Sequence, residues 1–111
     1  MQNEPVVLAC SWYPRGELGR FKLILPVLRD IYADIVVAVA DTPETEVAKS
    51  FFADENIRHQ TFRGWSGRHV CVTLATEGEG QFIHYVDFDR LIRWAECHID
   101  ELTDTVRKIP E

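Results

Sequence analysis

The chain has little positive charge and no long apolar run, and each shortage excludes a class of protein. Its 111 residues include 12 Lys and Arg against 18 Asp and Glu, which gives a formal net charge of −6. We therefore expect no general nucleic-acid binder, because such proteins normally present a basic face. No apolar run approaches the length of a transmembrane helix, and no signal peptide is recognisable. The sequence predicts a protein that does not span a membrane.

Cysteine is also scarce. The three cysteines, Cys10, Cys71 and Cys97, lie far apart and form no CxxC pair. An odd, dispersed set of this kind is typical of reduced thiols in a cytoplasmic protein rather than of a disulfide or zinc framework. The length suits one domain, and no repeat or linker divides it. We expect a single cytoplasmic domain over residues 1–111.

Apolar patterning predicts the fold class. The runs at 6–10 and 35–40 are continuous rather than alternating, which indicates strands covered on both faces, as in a parallel sheet. A weaker strand is expected at 58–62 and a fourth before Asp87. Helices are expected at 17–32, with a kink or restart at Pro26, at 44–55, at 68–76, at 90–96 and in the tail. In the second of these, Val47, Phe51 and Phe52 are expected to face inward. The β-α-β-α-β-α-β-α order predicts a Rossmann-like α/β three-layer sandwich with a mostly parallel sheet.

Acidic residues follow two of the predicted strands. Asp41 ends the second strand, and Asp87 and Asp89 form an Asp-x-Asp after the fourth. Ligands of doubly wound sheets bind beyond the carboxyl ends of the strands, and Mg²⁺ is usually held by one or two carboxylates plus substrate phosphates. A structural alternative stays open, in which Asp41 and Asp89 cap helices and Asp87 is a solvated turn residue.

With these pieces in place, the chain resembles the amino-terminal, nucleotide-binding half of a GT-A glycosyltransferase of the family 2 type. The matching segments are Val6–Cys10, Ile35–Asp41, the loop and helix start at 64–68, and the strand with its Asp-x-Asp at 85–89. The resemblance covers nearly the whole chain but only the first half of such an enzyme. It implies a domain that binds a nucleoside diphosphate sugar through Mn²⁺ or Mg²⁺.

The resemblance also assigns roles to single residues. It implies that Asp41 contacts the base or ribose, that Arg68 lies near the base or diphosphate, and that Asp87 faces the ribose or sugar. Asp89, together with Asp87, would hold the metal ion. Arg90 stands where the family often has a third carboxylate, and a cation there would either weaken metal binding or take over part of the metal's role.

Two functions therefore remain open. In the first, the chain is part of a glycosyl-transfer enzyme, although no acceptor half and no catalytic base are found in it, so its own catalytic activity is left open. In the second, it is a small non-catalytic α/β module whose sheet edge or last helix binds a protein partner. A homodimer is expected under both, because the sheet edge or the apolar stripe of the last helix would be covered by a second copy.

Overall fold

A computed structural model describes residues 6–77 and 82–110, and its centre is a sheet of four parallel strands. The strands are β1 (Val6–Trp12), β2 (Asp34–Ala40), β3 (Arg58–Phe62) and β4 (Phe82–Tyr85). Their spatial order is β3-β2-β1-β4, with β1 paired to both β2 and β4. The parallel sheet predicted from the continuous apolar runs is confirmed, since β1 and β2 are buried almost throughout.

Helices cover both faces of the sheet. Their bounds are α1 (Leu18–Ile31), α2 (Thr45–Asp54), α3 (Gly67–Thr76), α4 (Phe88–Cys97) and α5 (Ile99–Lys108). Buried side chains of α1, α2, α4 and α5 share one core cluster with one face of the sheet, and α3 packs alone on the other face. The architecture is the predicted three-layer α/β sandwich, with the tail divided into two helices.

Three local predictions have different outcomes. Helix α1 runs through Pro26 as one assigned helix, so no second helix begins there. Val47 was predicted to face inward and this is wrong, because its side chain is 66% exposed while Ala48 and Phe52 are buried. The apolar stripe of α5 packs Leu102 and Val106 into the chain's own core, so those two residues offer no surface to a second copy.

The strand order locates the natural binding position of the fold. The chain moves from β1 to β2 to β3 in one direction across the sheet and then returns to place β4 on the other side of β1. Ligands of open α/β sheets bind in the crevice formed where the direction reverses, outside the carboxyl ends of the strands. In this chain that position lies between β1 and β4. Within the described residues, no helix has the length and hydropathy needed to cross a bilayer.

Candidate functional site

A cavity of about 250 Å³ opens at the carboxyl ends of β1 and β4. Residues from three places surround it: the end of β1, the loop that follows β1, and the start of α4. They are Ser11, Trp12, Tyr13, Arg15, Glu17, Asp87 and Asp89. The cavity therefore lies in the crevice where the strand order reverses, and the Asp-x-Asp forms one of its walls.

An aromatic cluster beneath the cavity fixes the direction of the Asp-x-Asp. Phe88, the residue between the two aspartates, is fully buried and stacks on Trp12 with a centroid distance of 4.3 Å. The same Phe88 ring lies 4.7 Å from that of Phe21. Because Phe88 is anchored in the core, its neighbours Asp87 and Asp89 are held at the surface, where both line the cavity.

Glu17 organises the loop between β1 and α1. Its Oε1 accepts a hydrogen bond of 3.1 Å from the Trp12 indole and one of 2.7 Å from the backbone N–H of Arg15. Gly16 turns the chain at a φ of +90°, a conformation that side chains other than glycine rarely adopt. The loop is therefore folded back on its own carboxylate, and it presents Arg15 to the cavity.

A chain of hydrogen bonds holds Asp87. The Tyr85 hydroxyl donates to Asp87 Oδ1 at 2.7 Å, and the Ser11 hydroxyl lies 2.6 Å from the Tyr85 oxygen. Since a phenol has one proton and Tyr85 gives it to Asp87, Ser11 is the donor of the other bond. Burial raises the pKa of Tyr85, the bond from Ser11 lowers it in part, and Asp87 raises it again. Tyr85 thus remains a donor that occupies one oxygen of Asp87.

Arg68 lies beside this chain rather than in the cavity wall. Its guanidinium carbon is 4.6 Å from the centre of the Tyr85 ring, a cation–π geometry. Arg68 comes from the first turn of α3, and Tyr85 links it to Asp87. The predicted position of Arg68 near a base or diphosphate stays a prediction.

Asp41 lies apart from the cavity, and its partner is Arg63. The Arg63 Nε donates to Asp41 Oδ2 at 3.1 Å in an exposed ion pair. Helix α2 begins at Thr45 with Glu44 in the cap position, so Asp41 does not cap it. Neither Asp41 nor Arg68 is among the described residues that line the cavity. The expected role of Asp41 toward a base or ribose therefore stays a prediction.

The structural alternative made Asp89 the cap of α4 and Asp87 a solvated turn residue, and the structure differs on both points. Asp87 occupies the N-cap position of α4, but its side chain makes no capping hydrogen bond. Asp89 lies in the first turn, where a carboxylate interacts favourably with the helix dipole by about 0.3–1 kcal/mol. Neither carboxylate is consumed by capping, so both remain available to a ligand.

Asp87 and Asp89 suit a cation that is also bound by a ligand better than a cation that is held by protein side chains alone. Among the described residues, no group of three or more His, Cys, Asp or Glu side chains is arranged to hold a metal ion. Two carboxylates facing one cavity suit Mg²⁺, which usually takes one or two protein carboxylates and completes its shell with water and phosphate oxygens. Arg90 is exposed and lines a separate surface groove with Arg93 and Trp94.

Sequence reasoning missed two of the residues that shape the site. Tyr85 could have been found, because side chains two positions apart in an extended segment lie on the same face, and Asp87 is two positions after Tyr85. Glu17 had no comparable signal, because its contacts depend on how the loop after β1 folds. At the end of β1, Trp12 packs into the core and is 3% exposed, whereas Tyr13 is 44% exposed.

Comparisons with protein-family models, with curated proteins and with solved structures find no match to this chain.

Proposed function

We propose that the chain is the nucleotide-binding half of a GT-A-type glycosyltransferase and binds a nucleoside diphosphate sugar in the β1–β4 crevice. The divalent cation in this proposal is Mg²⁺ or Mn²⁺, and Asp87 and Asp89 are its ligands. The observation that carries the proposal is that both carboxylates line a cavity at the reversal point of the sheet.

The charge of the crevice supports a cation and a phosphate together. Glu17, Asp87 and Asp89 line the cavity against the single cation Arg15 among its described lining residues. This surplus of negative charge would repel a diphosphate on its own. A divalent cation bound between them would neutralise both the carboxylates of the cavity and the diphosphate. Because no three-residue metal group is found in the described residues, we expect the cation to bind weakly alone and more tightly with a diphosphate.

The chain's own residues have distinct parts in this proposal. Tyr85 holds one oxygen of Asp87 and leaves the other for the cation. Arg15 lines the same cavity and is the cation that would meet a phosphate oxygen in this proposal. A bound divalent cation supplies Lewis-acid stabilisation of the leaving diphosphate. No residue is assigned as the base that would deprotonate an acceptor hydroxyl, so the proposal for this chain is donor binding.

Calorimetric titration tests the proposal. UDP, GDP and their sugar conjugates are titrated with Mg²⁺ or Mn²⁺ and again with a chelator. We expect saturable binding that requires the metal and is abolished by Asp89→Asn. Asp100→Asn is the matched control, because Asp100 is an exposed carboxylate in the first turn of α5, as Asp89 is in the first turn of α4. Undiminished binding by Asp89→Asn, or no binding by the unmodified protein, would refute the proposal.

A second candidate function is a non-catalytic interaction module that dimerises. In the described part of the chain, β4 is an edge strand, since it pairs with β1 alone, and its four residues are half-buried. An unpaired strand edge is a template for another strand. Sedimentation velocity over a range of concentrations tests this candidate, and a strictly monomeric profile at high concentration would contradict it.

A cytoplasmic location is part of the proposal. Cys10, Cys71 and Cys97 are free thiols, and two of them are buried. Reducing compartments keep thiols in this state, whereas secreted domains of this size commonly use disulfides.

A further inference from the structure

Trp65 is 98% exposed, on the loop between β3 and α3. The other tryptophans of the chain are used for packing, since Trp12 is buried and Trp94 is half-buried with its indole bonded to Glu101. A tryptophan that packs into a core removes a large apolar area from water. An exposed indole such as that of Trp65 lacks this stabilisation.

The loop that carries Trp65 is held in place by its neighbours. The Tyr13 hydroxyl donates to the carbonyl of Gly64, and the Ser66 hydroxyl donates to the carbonyl of Arg63 at 3.1 Å. Gly64 has a φ of +68°, and Gly67 packs against the Phe62 ring. Trp65 is therefore the outward residue of a structured turn.

This loop is joined directly to the cavity. Tyr13, which bonds to Gly64, is also one of the residues that line the cavity. Neighbouring strands are about 4.8 Å apart, so the β1–β4 crevice is roughly two and a half strand spacings, or about 12 Å, from the end of β3. That separation is comparable to the distance from the base to the terminal phosphate in an extended nucleoside diphosphate.

We infer that Trp65 is a stacking platform for the base of the nucleotide, at the far end of the ligand from the Asp-x-Asp. This inference rests on the proposed function, and it adds the subsite that binds the base. An indole stacks on any base because every base has a π-face. A protein partner is the weaker explanation, because the sequence neighbours of Trp65, Gly64 and Ser66, add no large apolar side chain and Arg63 is charged.

The test compares ligands with and without a base. Binding of UDP, GDP and pyrophosphate, each with Mg²⁺, is measured by calorimetry for the unmodified protein, Trp65→Ala and Trp65→Phe. Base stacking is lost in Trp65→Ala, so we expect nucleoside diphosphates to bind about 5- to 150-fold more weakly while pyrophosphate affinity is unchanged. Trp65→Phe keeps a ring and should restore most of the affinity. Leu23→Ala is the control, because Leu23 is 82% exposed on α1.

Each outcome distinguishes the inference from the proposed function. Nucleotide binding that Asp89→Asn abolishes but Trp65→Ala leaves unchanged overturns the inference and keeps the function. An equal loss of UDP and pyrophosphate affinity in Trp65→Ala also overturns it, because the indole would then act on the phosphate end. No nucleotide binding by the unmodified protein overturns both.

Discussion

Replacing Gly67 with alanine should strain the contact on which the first turn of α3 rests. A Cβ at this position would stand 2.7 Å from Cζ of the Phe62 ring and 3.0 Å from each Cε atom. The ring cannot move freely, because Phe62 is 4% exposed and packs edge-on against Tyr13 at 5.3 Å between centroids. Gly67 therefore permits a close approach between helix and sheet that any other residue prevents.

The expected cost follows from this geometry. Overpacking a core typically costs about 1–3 kcal/mol, and replacing a helical glycine with alanine returns up to about 1 kcal/mol. The free energy of unfolding of Gly67→Ala should thus fall by about 1–2 kcal/mol. For a domain of this size that corresponds to a Tm lower by roughly 4–8 °C. Because Phe62 contacts Tyr13, the displacement should also reach the cavity wall.

Thermal and urea unfolding measure the effect, and the chain offers a matched control. Gly19 is exposed in α1, and an added Cβ would meet nothing within 4 Å, so Gly19→Ala should raise stability by about 0.5–1 kcal/mol. In Gly67→Ala combined with Phe62→Leu, the smaller side chain should accommodate the methyl group and make the two costs non-additive. A Tm for Gly67→Ala at or above that of the unmodified protein would refute the reasoning.

Three further predictions concern single side chains. Tyr85→Phe removes the donor to Asp87 and should lower metal-dependent nucleotide affinity about tenfold, as a lost hydrogen bond to a charged group implies; equal affinity by calorimetry would contradict it. Burial lowers the pKa of His84 below its ordinary 6.5. The unfolded chain therefore binds this proton at a higher pH than the folded protein does, and the free energy of unfolding should decline as the pH falls from about 6.5 toward the folded pKa. His84→Gln should flatten this decline in urea titrations. A thiol reagent at pH 8 should modify one cysteine rapidly in the folded protein, the exposed Cys97, because Cys71 is buried and burial raises its pKa to about 11; two fast equivalents would contradict this.

The fold was predictable because its signals are local and repeated. β1 and β2 are continuous apolar runs, and the residues between them have helical spacing, so the alternation of elements follows from neighbours along the chain. The alternation then leaves few topologies, since parallel crossovers are right-handed and connections are short. The sheet order β3-β2-β1-β4 is one of those few.

The site was predictable only in part, because its geometry is set by long-range contacts. Asp87 and Asp89 were found from their place at the end of a strand. Glu17 was not, since its hydrogen bonds to Trp12 and Arg15 depend on the shape of one loop. The inward direction of Val47 was wrong because α2 lies on the sheet through Ala48 and Phe52, a rotation that its short apolar pattern did not determine.

The pairing of β4 with β1 has a consequence for how the binding site comes into being. The Ser11–Tyr85 hydrogen bond joins residues 74 positions apart, and Asp87 and Asp89 of the cavity belong to the later of the two segments. Contacts of such high sequence separation form late, because a long loop must close before they are gained. Until β4 pairs with β1, the first three strands have no crevice. Ligand binding would then report completion of the sheet, and a ligand of this site would favour the last step of folding by mass action.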